Sequence, residues 1–113
     1  MTRIEKPWGY ELLWAKTDAY AGKVLHVNAG HRLSWQYHER KDETIHVWAG
    51  RVRFVFDDGS GVQERELSAG EGFHIAPGVR HRMIALTDCD ILEASTAELD
   101  DVVRLEDAYG RAK

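Results

Sequence analysis

Nine short runs of apolar, β-branched and aromatic residues set the frame for this chain, none longer than five residues. They are Tyr10–Trp14, Lys23–Val27, Leu33–Tyr37, Thr44–Trp48, Val52–Phe56, Gln63–Leu67, Gly72–Ile75, Arg82–Leu86 and Ile91–Ala94. Turn signals such as Asn28-Ala29-Gly30, Asp57-Asp58-Gly59 and Pro77-Gly78 separate them. β-Branched and aromatic residues fit a pleated surface, and Gly, Asn, Asp and Pro supply the turn geometry, so each run reads as a strand. That rhythm predicts an all-β sandwich or barrel. The tail from Ala97 is more polar. A turn of helix is predicted over Ala97–Asp101 and a last short strand over Val102–Leu105.

The length of 113 residues predicts one domain, 1–113, with one modest core. A net charge of −4 argues against general binding of nucleic acid. No apolar run approaches the ~20 residues of a membrane helix, so no membrane partner is expected. The opening MTRIEKPWGYELLW has no signal-peptide apolar region. Cys89 is the only cysteine, which rules out an intrachain disulfide and suits a reducing compartment. These features predict a cytoplasmic protein with Cys89 buried and unreactive. Trp8, Trp14, Trp35 and Trp48 are expected to fill the core or a dimer contact. A small sheet has edges to protect, and pairing with a second copy protects them, so a homodimer is expected.

The chemistry concentrates between Gly30 and Gly50. Side chains alternate faces along a strand, so Gln36 and His38 point the same way and Trp35 and Tyr37 the other. Glu39-Arg40-Lys41-Asp42 reads as a turn, after which Glu43 can face His38 across the hairpin. His81 follows the Pro77-Gly78 turn in a second hairpin, and in a closed barrel it can meet the other three inside. Imidazole nitrogen and carboxylate oxygen bind Zn²⁺, Fe²⁺ or Mn²⁺ well, with an amide oxygen as a weaker neutral ligand. Two histidines and one carboxylate leave positions open for water or substrate, and no thiolate is present to close a structural zinc site. Taken singly, His38 and His81 read as ordinary partly buried histidines and Glu43 as a solvated carboxylate. His46 lies an odd number of residues from Glu43 and should face outward. His26 and His31 are read as non-ligands.

The segment Gly30–Gly50 resembles the first motif of the cupin superfamily: glycine, five residues, His-x-His, three or four residues, Glu, six residues, glycine. Gln36 stands where most cupins have the first histidine. Gly70–His81 resembles the second motif, without the residue usual between proline and glycine, and with Ala85 where an asparagine is common. The opening Lys6-Pro7-Trp8-Gly9-Tyr10-Glu11, the segment Leu33–His38 and the ending Asp100–Arg111 are similar to the type II phosphomannose isomerase (mannose-6-phosphate isomerase) domain, in which Gln-x-His is the norm. The chain departs from that family at Lys41-Asp42-Glu43-Thr44-Ile45, where Arg-Ala-Glu-His-Trp is usual. It departs again at Glu93-Ala94-Ser95-Thr96-Ala97, where only the glutamate of Glu-Val-Gln-x-Gly survives.

The resemblance implies a cupin jelly-roll barrel, a double-stranded β-helix. It implies one divalent metal per chain at Gln36, His38, Glu43 and His81, with zinc foremost among zinc, iron, manganese, nickel and cobalt. It also implies interconversion of mannose 6-phosphate and fructose 6-phosphate or a similar pair. That reaction needs a proton carrier, for which Glu93 and His74 are the candidates. It needs cations for a phosphate, available as Arg32, Lys41, Arg80, Arg82 and Arg111. Arg111 is favoured because it stands in the Tyr-Gly-Arg tail motif, although Arg104 and Arg111 can equally pair with Asp100, Glu106 or Asp107 to pin the tail. Two alternatives stay open: a cupin dioxygenase, against which Gln36 counts, and a non-catalytic module that binds a sugar or other small molecule.

Overall fold

Strict alternation of inward and outward residues builds the molecule from eleven strands. The computed structural model describes residues 1–112. The strands are β1 (Thr2–Lys6), β2 (Gly9–Lys16), β3 (Ala21–Val27), β4 (Trp35–Tyr37), β5 (Glu43–Ala49), β6 (Arg51–Asp57), β7 (Val62–Ser68), β8 (Gly72–Ile75), β9 (Arg80–Ala85), β10 (Cys89–Ser95) and β11 (Val103–Glu106). They form a six-stranded sheet, β1-β2-β3-β10-β5-β8, and a five-stranded sheet, β11-β4-β9-β6-β7. The strand pairs are antiparallel, and the architecture is an all-β jelly roll.

The nine expected runs all lie on strands, with Leu33 and Ser34 falling before β4 and Leu86 after β9. Three features differ from the sequence reading. The two site segments are not hairpins: β4 pairs with β9 in one sheet and β5 with β8 in the other, so Glu43 meets His38 and His81 across the space between the sheets. β1 was not expected: four of its five residues are exposed, so it carries no burial pattern, and it pairs only with β2 at the sheet edge. Ala97–Asp101 is not helical. It closes through tight turns, with Leu99 N–H donating to Ala97 O and Asp101 N–H to Glu98 O. A single helical turn does not repay its nucleation cost, and the Asp101 carboxylate is drawn away to accept the backbone N–H groups of Glu39, Arg40 and Lys41. Among the described residues no helix is long and apolar enough to cross a membrane.

The inner face is graded from apolar to polar along every strand that reaches the site. Cys89 and Ile91 of β10 belong to the core, and Glu93 lines the cavity beyond them. On β3, Val27 and Leu25 precede Lys23 in the same direction; on β9, Ala85 and Met83 precede His81; on β5, Val47 and Ile45 precede Glu43. Neighbouring strands run antiparallel, yet their polar inner residues gather at the same end, because the registers pair Lys23 with Glu93 and Ser95 with Glu43. The apolar end is packed solid, and the cluster of Phe54, Phe56 and Phe73, with ring centroids 4.6–5.6 Å apart, reaches from it to the His81 ring, 6.2 Å from Phe54. Aromatic pairs at such separations add about 0.5–1.5 kcal/mol beyond their buried area. The other end holds polar groups in a cup.

Two glycine turns tie the strands together, one at each end of the barrel. Gly50, between β5 and β6, has φ +87°, and a Cβ there would meet Asp88 O at 2.3 Å; only glycine fits the turn. Gly78 of the Pro-Gly turn donates its N–H to His38 O at 2.7 Å, tying the β8–β9 turn to the segment after β4. Trp8 is in the core and Trp35 is partly covered, whereas Trp14 and Trp48 stand 61% and 67% exposed on the outside. Cys89 is buried, and burial followed by the nearby Asp90 charge pushes its thiol up to about 11.

Candidate metal centre

β5 starts with Glu43 on the inner face, His38 closes the segment after β4, and His81 lies on β9. The fold brings these three together: one potential ligand atom from each lies within 4.8 Å of the others. Glu43 Oε1 is 3.6 Å from His38 Nε2 and 3.4 Å from His81 Nε2. The histidines are oriented from behind. His38 Nδ1 meets the carbonyl of Asp101, and His81 Nδ1 meets Val79 O at 3.0 Å. A ring that donates through Nδ1 presents a bare lone pair at Nε2, the tautomer a metal requires. Both Nε2 atoms are buried with no hydrogen-bond partner among the described residues. Buried polar atoms are rarely left so, and a cation bound by both nitrogens and Oε1 satisfies all three at once. The residues fit a divalent metal.

Gln36 pairs with His81 in the strand register and lines the same cavity. Its Oε1 accepts a hydrogen bond from Ser34 Oγ at 2.8 Å, which leaves that oxygen a second lone pair.

Beside the metal ligands lies a buried ion triad. Lys41 Nζ is 2.9 Å from Glu43 Oε2 and 3.3 Å from Glu93 Oε2, and all three side chains are nearly inaccessible to solvent. Burial alone would raise the Glu43 carboxyl, but the two imidazoles, with Lys41, outweigh it and hold the group below its usual range. Burial pushes Glu93 up, and the Glu43 charge adds to the shift against Lys41 and Lys23. Burial would lower Lys41, and the Glu93 and Glu43 charges more than offset it. A second ion group forms the opposite wall, where Glu11 holds Lys23 at 2.9 Å and Lys6 at 3.2 Å. Burial works against ionisation of Glu11, and the two lysines, Lys23 foremost, still keep it below its usual range.

The cavity offers about 100 Å³ of accessible space and opens to solvent, so it is small beside the ~300–1,000 Å³ usual for small-molecule sites. Glu93, Arg111 and Lys41 of the expected catalytic and phosphate-binding residues line it. Arg111 is pinned as well: its Nε and Nη2 donate to the two oxygens of Asp107, each at 3.0 Å. His74 does not join the site. It faces outward, 61% exposed, with Nε2 2.6 Å from Asp42 Oδ1, because Ile75 and not His74 takes the inward position opposite Glu43. This corrects its candidacy as a proton carrier. Arg80 lies over the Tyr37 ring and Arg82 donates to Leu33 O, and neither they nor Arg32 line the cavity. His26 stacks on Tyr10 and meets Asp90, and His31 meets the Tyr109 hydroxyl. Lys6, Glu11, Lys23 and Arg104 were missed. A charge on the inward parity of Leu25 and Val27 was the available signal for Lys23; Lys6 and Glu11 stand inside the opening motif.

The cupin domain family matches residues 23–94. The chain belongs to the cupin family. Over 96% of its length this cupin is 32% identical to mannose-1-phosphate guanylyltransferase ManC of Salmonella typhimurium, and it spans 23% of that relative. Among solved structures it superposes on KdgF from Halomonas sp. with a TM-score of 0.77 at 19% identity, covering 88% of this chain and 91% of the other. It superposes on an oxalate decarboxylase with a TM-score of 0.80 at 17% identity, covering 93% of this chain and 30% of that one. These two likenesses establish the fold.

Proposed function

We propose that this cupin is a metal-dependent sugar-phosphate isomerase of the mannose 6-phosphate/fructose 6-phosphate type. The observation that carries the reading is the convergence of His38, Glu43 and His81, with unpartnered Nε2 atoms, beside a cavity that His38 lines together with lysines and arginines. A relative named for a mannose phosphate supports a phosphorylated sugar as the small-molecule substrate.

His38, Glu43 and His81, with Gln36 as a fourth ligand, would hold one divalent metal, zinc first. Such an ion polarises carbonyl and hydroxyl oxygens and stabilises negative charge developing on them. The chain's own residues supply the rest. In the aldose-to-ketose direction the carbon-bound proton leaves C2 and returns to C1, while the hydroxyl proton passes from O2 to O1. Glu93 is the carboxylate placed to carry the carbon proton, facing the cavity within reach of the metal ligands. Lys41, between Glu43 and Glu93, keeps the two carboxylates apart and balances their charge. Arg111, steadied by Asp107, faces the same cavity as a cation for the phosphate. The reading keeps the cytoplasm as the compartment and a homodimer as the assembly, with exposed Trp14 and Trp48 available to an interface.

One observation favours a binding role without turnover: Glu93 is already engaged by Lys41 at 3.3 Å. The experiment is metal analysis of untagged protein joined to a mannose 6-phosphate to fructose 6-phosphate assay with Zn²⁺, Mn²⁺, Fe²⁺ or Co²⁺ restored in turn. About one metal per chain with turnover supports the isomerase. Metal and sugar-phosphate binding without turnover replaces it by the binding module.

A further inference from the structure

Five cationic side chains line the cavity: Lys6, Lys23, Lys41, Arg104 and Arg111. Four of them have a carboxylate within 3.2 Å. Lys6 and Lys23 share Glu11, Lys41 holds Glu43, and Arg111 is forked onto Asp107. Arg104 alone has no such partner among the described residues. Its Nε is shut off from solvent and makes no hydrogen bond. A guanidinium stays charged at every physiological pH and offers five donors in a planar fork. A buried donor left unsatisfied is costly, and a ligand that accepts from it relieves that cost.

The position of Arg104 says which ligand. It lies on β11 directly across from Gln36 of β4, and both side chains line the cavity that His38 also lines. Arg111 has already committed one edge of its fork, through Nε and Nη2, to Asp107. The corresponding edge of Arg104 is unspent. Paired donors on a planar edge match two oxygens of a phosphate or carboxylate.

We infer that Arg104 is the residue that receives the oxyanion of this cupin's small-molecule ligand, ahead of Arg111 and the three cavity lysines. The inference rests on the small-molecule reading above and does not require turnover. The sequence left tail pinning open to both Arg104 and Arg111; in the structure Arg111 holds Asp107, and Arg104 lines the cavity without a carboxylate partner among the described residues.

Calorimetric titration of the zinc-loaded full chain tests this with three probes: mannose 6-phosphate, glucuronate and neutral mannose. Wild type should bind at least one of the two anions, at least tenfold tighter than mannose, and which of them binds identifies phosphate or carboxylate as the source. Arg104→Gln should weaken the bound anion at least tenfold, with metal stoichiometry and mannose binding unchanged. Arg104→Lys, which keeps the charge but loses the fork, should fall between the two and covers the case in which the glutamine variant does not fold. Unchanged anion affinity in both variants, or a wild type that binds no anion in preference to mannose, overturns the inference. Failure of the isomerase reading looks different: mannose 6-phosphate binds, depends on Arg104 and is not turned over.

Discussion

Lys41 Nζ lies 2.9 Å from Glu43 Oε2, while the other oxygen of that carboxylate faces the imidazoles of His38 and His81 at 3.6 and 3.4 Å. The lysine therefore claims one oxygen and leaves the other for a metal. Replacing it by methionine keeps the buried stem but strips Glu43 and Glu93 of their shared counter-charge. Removing one partner of a buried pair costs about 3–5 kcal/mol. Lys41→Met should lose stability on that scale in metal-free protein, and less when zinc neutralises Glu43. Urea unfolding with and without zinc measures both numbers; equal losses in the two states would show that Lys41 and the metal do not share Glu43.

The ligand set makes a separate prediction. Glu43→Gln keeps the shape of the side chain and removes its charge, and His81→Ala removes one imidazole. Changes behind the ligands typically cost ~10–100-fold in metal affinity, and loss of a ligand should cost at least about 100-fold. Chelator competition followed by elemental analysis gives the affinities, and a thermal melt shows whether the barrel persists on its apolar core. Wild-type stoichiometry in both variants would remove these residues from the site.

Asp101 serves the centre twice without touching a metal. Its carboxylate accepts the N–H groups of Glu39, Arg40 and Lys41 at 2.7–3.1 Å, and its carbonyl meets His38 Nδ1. Asp101→Ala releases the turn that carries Lys41 and lets His38 rotate. Zinc affinity should fall about 10–100-fold, and Asp101→Asn, which keeps an acceptor, should recover part of it. An alanine variant with wild-type zinc affinity would show that the turn holds itself.

The tail clamp predicts a pH dependence. Hydrogen bonds from Arg111 hold the Asp107 carboxyl at about 2, below the ~3.9 of an unfolded aspartate. Between those values the unfolded chain binds more protons than the native one, so stability rises with pH there. The contribution of this pair is complete above about pH 4 and is lost as the pH falls through about 2. Asp107→Asn should flatten that segment of the stability profile, read from urea midpoints at closely spaced pH values. An unchanged slope would mean that Arg111 does not hold Asp107 in solution.

The sequence by itself determined most of the strand content, the spacing of Gln36, His38, Glu43 and His81, and the family, whereas the two hairpins expected to carry those four residues are crossovers between the sheets. The features it determined follow from local rules: period-two alternation, turn residues, and the spacing of ligands along strands. The inward facing of Glu43 and the outward facing of His46 were legible for the same reason. Only the tertiary structure decided which charged residues share the cavity. Lys23 meets Glu93 because β3 and β10 are paired in that register, although 70 residues of chain separate them. Lys41 was legible only as a turn residue, yet Asp101 fastens that turn so that the lysine is buried between two carboxylates. His74 faces solvent because β8 pairs with β5 through Ile75 at the Glu43 level. The choice between Arg104 and Arg111 depended on which one Asp107 reaches, a contact that no spacing in the tail reveals. Partner choice among charges is set by register and closure across the barrel, and those are properties of the assembled sheets.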